Sequence, residues 1–85
     1  MSIHILGVNT TNMGLLPKKQ QKAFQYIYRF WSNSPEEINM IRYTRSYRGV
    51  LYVHLYLPKN GKTISKYSIY PNGKMIEKVG IELTN

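Results

Sequence analysis

Tyr52, His54 and Tyr56 recur at every second position of LYVHLYL, and Lys66, Ser68 and Tyr70 repeat that spacing in the next strand-forming stretch. In an extended chain alternate side chains share a face, so this spacing predicts rings and a cation gathered on one side of a sheet. Aromatic planes of this kind stack on unpaired nucleobases, while ammonium and guanidinium groups neutralise phosphates and release their counterions. Together these residues could capture a single-stranded polyanion. Arg42, Arg45 and Arg48 lie ahead of the alternation and Lys59, Lys62 and Lys74 in its breaks, and no Asp or Glu occurs between Ile38 and Ile76. A carboxylate there would repel phosphate, so its exclusion has a physical motive. Lys18, Lys22 and Arg29 form a second basic stripe, spaced to follow a phosphate backbone if two helices met in a dimer. For a lone helix a solvated face is the simpler account. Tyrosine rows also occur on sheets that bind nothing, where cross-strand pairing alone explains them. The nucleic-acid reading therefore rests on the one-signed charge of the whole stretch and not on any single ring.

Other chemistry has little to work with. The chain has no cysteine, two histidines (His4 and His54) and four glutamates, none at a metal-ligand spacing, so neither a metal nor another cofactor is expected. Neither a GxxxxGK phosphate loop nor a GxSxG elbow is present, which removes nucleotide hydrolysis and acyl transfer. The remaining catalytic alternative is a metal-free ribonuclease, with His54 or a tyrosine taking the 2′-hydroxyl proton and Arg42, Arg45 or Lys66 stabilising the phosphorane. A solitary strand histidine between tyrosines is more commonly a stacking or packing residue, and the expectation is a protein without enzymatic activity.

Composition bounds the partner and the compartment. Twelve Lys and Arg against four Glu give a formal charge of +8 over 85 residues, a field that favours nucleic acid or an acidic protein. Hydrophobic residues at 42% and charged residues at 19% fall in the range of folded chains, and the length predicts one domain over residues 1–85. A core so small makes a homodimer plausible. No basic flank precedes the short apolar run at the amino terminus, and no apolar run reaches the roughly 18–20 residues that span a bilayer. A cytoplasmic protein without a membrane partner is expected. The bias towards Ile, Asn, Lys and Tyr suits an AT-rich coding sequence and suggests a phage or mobile-element accessory protein, by association only. With no helix-turn-helix or zinc-finger pattern, RNA is favoured over duplex DNA. The alternative partner is an acidic host protein, met by an inhibitor that neutralises a defence or toxin system directly or through RNA.

The elements that position these residues are read from periodicity. Residues 3–8 alternate imperfectly and predict a short strand. Pro17 suits the first turn of a helix over 17–32, on which Phe24, Ile27, Tyr28 and Trp31 gather on one face and the basic residues on the other. Ser34, Pro35, Glu36 and Glu37 have the pattern of a helix start, taken here as a single turn followed by a strand over 39–47. A second helix ending at Gly49 is the competing reading. Clear alternation at 50–57, with Asn60-Gly61 and Asn72-Gly73 as turns, predicts a meander of strands 50–57, 63–70 and 74–81. A five-residue loop over 58–62 places Tyr67 and Ile69 beside Leu51, Val53, Leu55 and Leu57, and leaves Tyr52, His54, Tyr56, Lys66, Ser68 and Tyr70 on the other face. In that register Ser65 joins the apolar face and Ile64 the polar one. The predicted architecture is α+β, an antiparallel sheet of three to five strands packed against one amphipathic helix.

Overall fold

Pro17 cannot donate a backbone hydrogen bond, and a helix start needs no donor there. In the computed structural model of the protein, which describes residues 3–5, 13–44 and 48–80, its carbonyl instead accepts the N–H groups of Gln20 and Gln21, each at 3.0 Å. It is the cap, not the first turn, of helix α1 (Lys18–Ser32). A short 3₁₀ turn, Met13–Leu15, leads into it. The buried stripe of α1 is Gln20, Phe24 and Ile27, flanked by the partly buried Ala23 and Trp31. At 100° per residue these positions lie within one narrow sector, whereas Tyr28 falls at its margin and is 36% exposed. Tyr28 is thus not a core residue, and Gln20, passed over because it is polar, is one. Its Nε2 donates to the carbonyls of Gly49 and Ile69, both at 2.7 Å, and so ties the first turn of the helix to the sheet.

The strands are β1 (Ile3–Ile5), β2 (Ile38–Thr44), β3 (Leu51–Tyr56), β4 (Thr63–Ile69) and β5 (Met75–Val79), side by side in chain order. β1 runs parallel to β2, with α1 as the crossover between them, and every later pair is antiparallel. The expected helical turn at 34–37 does not form. Ser34 Oγ accepts the Glu36 N–H at 3.2 Å, which turns the chain. Ile38 and Met40 are then fully buried in a strand whose backbone pairs with β1 and β3. The predicted strand 39–47 holds as far as Thr44; residues 45–47 lie outside those described, as do 6–8 of the first strand and 81 of the last.

Both Asn-Gly pairs are turns. Gly61 and Gly73 have φ of 71° and 91°, the left-handed conformation that costs glycine nothing. Each asparagine side chain accepts the N–H two residues on, Asn60 from Lys62 and Asn72 from Lys74, both at 2.9 Å.

The predicted pairing of Val53 with Tyr67 and of Leu51 with Ile69 is present, but its cause differs. Leu57 donates to the Lys62 carbonyl at 2.9 Å, closing a loop one residue shorter than predicted. The extra residue sits inside β4 as a bulge opposite Leu55 and Tyr56. A bulge turns two successive side chains to one side. Ile64 and Ser65 are therefore both buried, and the expectation that Ile64 joins the polar face is corrected. The core under α1 combines Phe24 and Ile27 with Ile38, Met40, Leu51, Val53, Leu55, Leu57, Ile64, Tyr67 and Ile69. At its border Trp31 Nε1 donates to Tyr67 Oη, and Tyr67 Oη and Ser65 Oγ both donate to Glu77 Oε2, all at 2.8 Å.

Candidate nucleic-acid interface

Because α1 packs on one side of the sheet only, the pairing register dictates what the other side displays. Two rows cross it perpendicular to the strands: Tyr43, Tyr52, Ser68, Ile76, and beside it Ile41, His54, Lys66, Lys78. Asn39 faces Tyr56, which faces Thr63, in a third row. Tyr70 donates its backbone N–H to the Lys74 carbonyl at 2.8 Å, so those two residues complete the face at its turn end. Tyr43 and Tyr52 stack with centroids 5.5 Å apart and planes at 24°, a cross-strand contact of the offset type that rings prefer. His54 and Tyr56 are tilted, also 5.5 Å apart. A groove of about 360 Å³ lies among Tyr43, Tyr52, Lys66, Ser68, Ile76 and Lys78.

The charges at the strand positions of this face are of one sign among the described residues. Lys66 and Lys78 stand directly opposite one another on neighbouring strands, an arrangement that is destabilising for like charges. Both are exposed, and the strand positions of this face carry no carboxylate among the described residues. Burial, and then the charge of Lys66, hold the His54 imidazole below its ordinary pKa of 6.5. Its Nε2 shares a 2.8 Å hydrogen bond with Thr63 Oγ1.

Of the predicted site residues, Tyr52, His54, Tyr56, Lys66 and Tyr70 share this face as expected, and Lys74 joins them at the turn. Lys59 and Lys62 occupy the exposed loop between β3 and β4, at the opposite end of the sheet from Lys74. Arg42 is corrected. It pairs with Val53, which places it on the helix side, and its guanidinium lies 5.5 Å from the Phe24 ring centroid, a cation–π distance. Lys18, Lys22 and Arg29 are exposed on α1, across the sheet from the tyrosines, and Arg48 is exposed in the turn before β3. Arg45 lies outside the described residues. The cations are therefore distributed over both sides of the sheet, and only part of them borders the rings. Of the aromatic and charged residues of the face, Tyr43 and Lys78 were missed. Tyr43 was obscured by the helix-or-strand ambiguity of its segment; Lys78 follows from the parity of Lys74 across the second Asn-Gly turn and was legible there.

Among the described residues no cluster of His, Cys, Asp or Glu could hold a metal ion, and no helix is long and apolar enough to cross a membrane. The chain matches no protein-family model, no curated protein and no solved structure. The class defined by fold and face together is an α+β domain with one sheet surface covered by the helix and the other left open among the described residues, the open one bearing rings and lysines.

Proposed function

We propose that the protein is a non-enzymatic, largely sequence-tolerant RNA-binding protein that takes single-stranded segments on the open face of its sheet. The observation that carries this reading is the Lys66–Lys78 pair. A chain gains no stability from holding two ammonium groups opposite each other, and a phosphate between them would convert repulsion into attraction. Rings in the adjoining rows supply the complementary contact, since a base stacked on an aromatic side chain contributes about 1–3 kcal/mol. Unpaired bases suit this geometry better than a duplex, whose groove takes a protruding helix or ribbon and not a sheet face. The amino-acid bias adds the suggestion of a phage or mobile-element accessory role in the host cytoplasm.

The test is a titration of the protein against labelled random-sequence RNA over a salt series. Binding by phosphate neutralisation makes log K fall with log salt by roughly 0.7 per phosphate contacted. The Lys66→Gln/Lys78→Gln double variant should lose more than one unit of that slope, while Arg42→Gln, on the far side of the sheet, should keep it. Failure to bind RNA at low salt, with retention of an acidic protein from the same cells, would replace this reading by that of a protein-directed inhibitor. RNA cleaved by the wild type and left intact by His54→Ala would replace it by a ribonuclease.

A further inference from the structure

The row Tyr43, Tyr52, Ser68, Ile76 has a gap in it. Ser68 is its shortest side chain and stands between a phenol ring on β3 and an aliphatic side chain on β5. Tyr43 stacks on the Tyr52 ring, and Tyr52, Ser68 and Ile76 line one groove. On the far side Ile76 is 49% exposed, an apolar wall at the β5 end of the row. The Ser68 hydroxyl has no hydrogen-bond partner among the described residues. The neighbouring row brings Lys66 and Lys78 alongside. The groove bounded by these groups, about 360 Å³, is at the small end of ligand-binding pockets, which span roughly 300–1,000 Å³.

Resting on the RNA-binding reading above, we propose that this gap is a slot for one unstacked nucleobase, held between Tyr52 and Ile76 over Ser68, with the phosphate of the same nucleotide on Lys66 and Lys78. The slot takes a flat heteroaromatic edge-first, with an aromatic plane on one side and an aliphatic surface on the other. A hydroxyl both donates and accepts, so Ser68 can meet the edge of any of the four bases, and the slot selects a nucleotide without selecting a sequence. Paired bases cannot enter, because their edges are engaged with the opposite strand. The slot thus supplies the preference for single strands, and the lysines supply the preference for polyanions.

The experiment uses nucleoside 5′-monophosphates, ribose 5-phosphate and inorganic phosphate as probes of the intact protein, followed by backbone and tyrosine-ring chemical shifts. The monophosphates should shift Tyr52, Ser68 and Ile76 together and bind on the order of tenfold more tightly than ribose 5-phosphate, the lower part of the range for one stacked base. Ser68→Leu fills the gap. It should reduce the monophosphates to the affinity of ribose 5-phosphate and weaken random RNA by a similar factor, while the salt slope stays that of the wild type because both lysines remain. Ile76→Thr removes the wall at an exposed site and should weaken the monophosphates in the same direction, so the inference does not depend on one variant folding. Equal binding of monophosphates and ribose 5-phosphate would overturn the slot. So would a Ser68→Leu protein with unaltered RNA affinity; if the lysine double variant still loses its slope in that case, the open face survives as the RNA surface and only the base slot falls. A double variant with no loss of slope removes both.

Discussion

Replacing Lys78 by Gln should stabilise the fold and weaken its binding at once. Lys66 and Lys78 are directly opposed, and opposed residues have Cβ atoms about 4.5–5.5 Å apart. Long flexible side chains let the two ammonium groups separate to roughly 7 Å, where the repulsion in water is about 0.6 kcal/mol. With a Debye length of about 8 Å at physiological salt this falls to about 0.25 kcal/mol, and at 1 M salt it nearly disappears. A domain of this length changes its melting temperature by about 4–8 °C per kcal/mol. Lys78→Gln should therefore melt about 2–4 °C above the wild type at 10 mM salt and level with it at 1 M, as followed by circular dichroism. In the RNA titration the same variant should lose about 0.7 of the salt slope. A lower melting temperature at 10 mM salt would refute the reasoning, because it would mean that the side chain contributes packing or an attractive charge contact instead of a repulsive one.

Three further outcomes follow from side chains on and under the sheet. Gln20→Ala removes the donor to two carbonyls and leaves a cavity at a fully buried position, so urea denaturation should show a loss of about 2–4 kcal/mol. Gly80→Ala would drive a Cβ into the Thr63 carbonyl oxygen; the end of β5 must then move away from β4, and the melting temperature should fall by several degrees, consistent with about 1–3 kcal/mol of overpacking. Burial and Lys66 lower the folded-state pKa of His54 below 6.5, so the unfolded chain takes up the proton more readily. The stability tied to this group is fully present above pH 6.5 and is lost as the pH falls through the lowered folded value. Urea midpoints measured from pH 7.5 to 5 should decline more steeply for the wild type than for His54→Asn, and identical slopes would contradict the assignment.

The sheet was legible wherever alternation was regular and turns were punctuated by Asn-Gly, as in β3, β4 and their partners on the apolar face. Segregation of Leu51, Val53 and Leu55 from Tyr52, His54 and Tyr56 was enough to choose a register, since a slip of one residue exchanges every side chain between faces. What escaped had no periodic signature. Loop length and bulge trade one residue for one residue, and both give Val53 opposite Tyr67, so Ile64 could not be placed from pattern alone. Gln20 is buried because two backbone carbonyls from distant segments converge on it, a tertiary fact invisible in a helical wheel. Ser34 and Pro35 do make a turn, yet the helix they announce loses to the burial of Ile38 and Met40 between two strands. On the face itself Tyr52, His54, Tyr56 and Tyr70 were read correctly and Tyr43 was missed, whereas Arg42 was grouped with the rings by proximity along the chain, and its even number conceals that β2 runs against β3 with the opposite parity.

The bulge at Ile64 has a consequence for how such a chain can change. Length variation in the Pro58 to Gly61 tip would carry Lys59 nearer to or farther from the sheet, while the seam beyond Ser65 would keep its alignment, because the irregular residue already separates the two. An insertion three or four positions later has no such buffer and would turn Ser68 and Tyr70 towards the helix side. The tip is therefore free to drift among descendants of this sequence, and the middle of β4 is not.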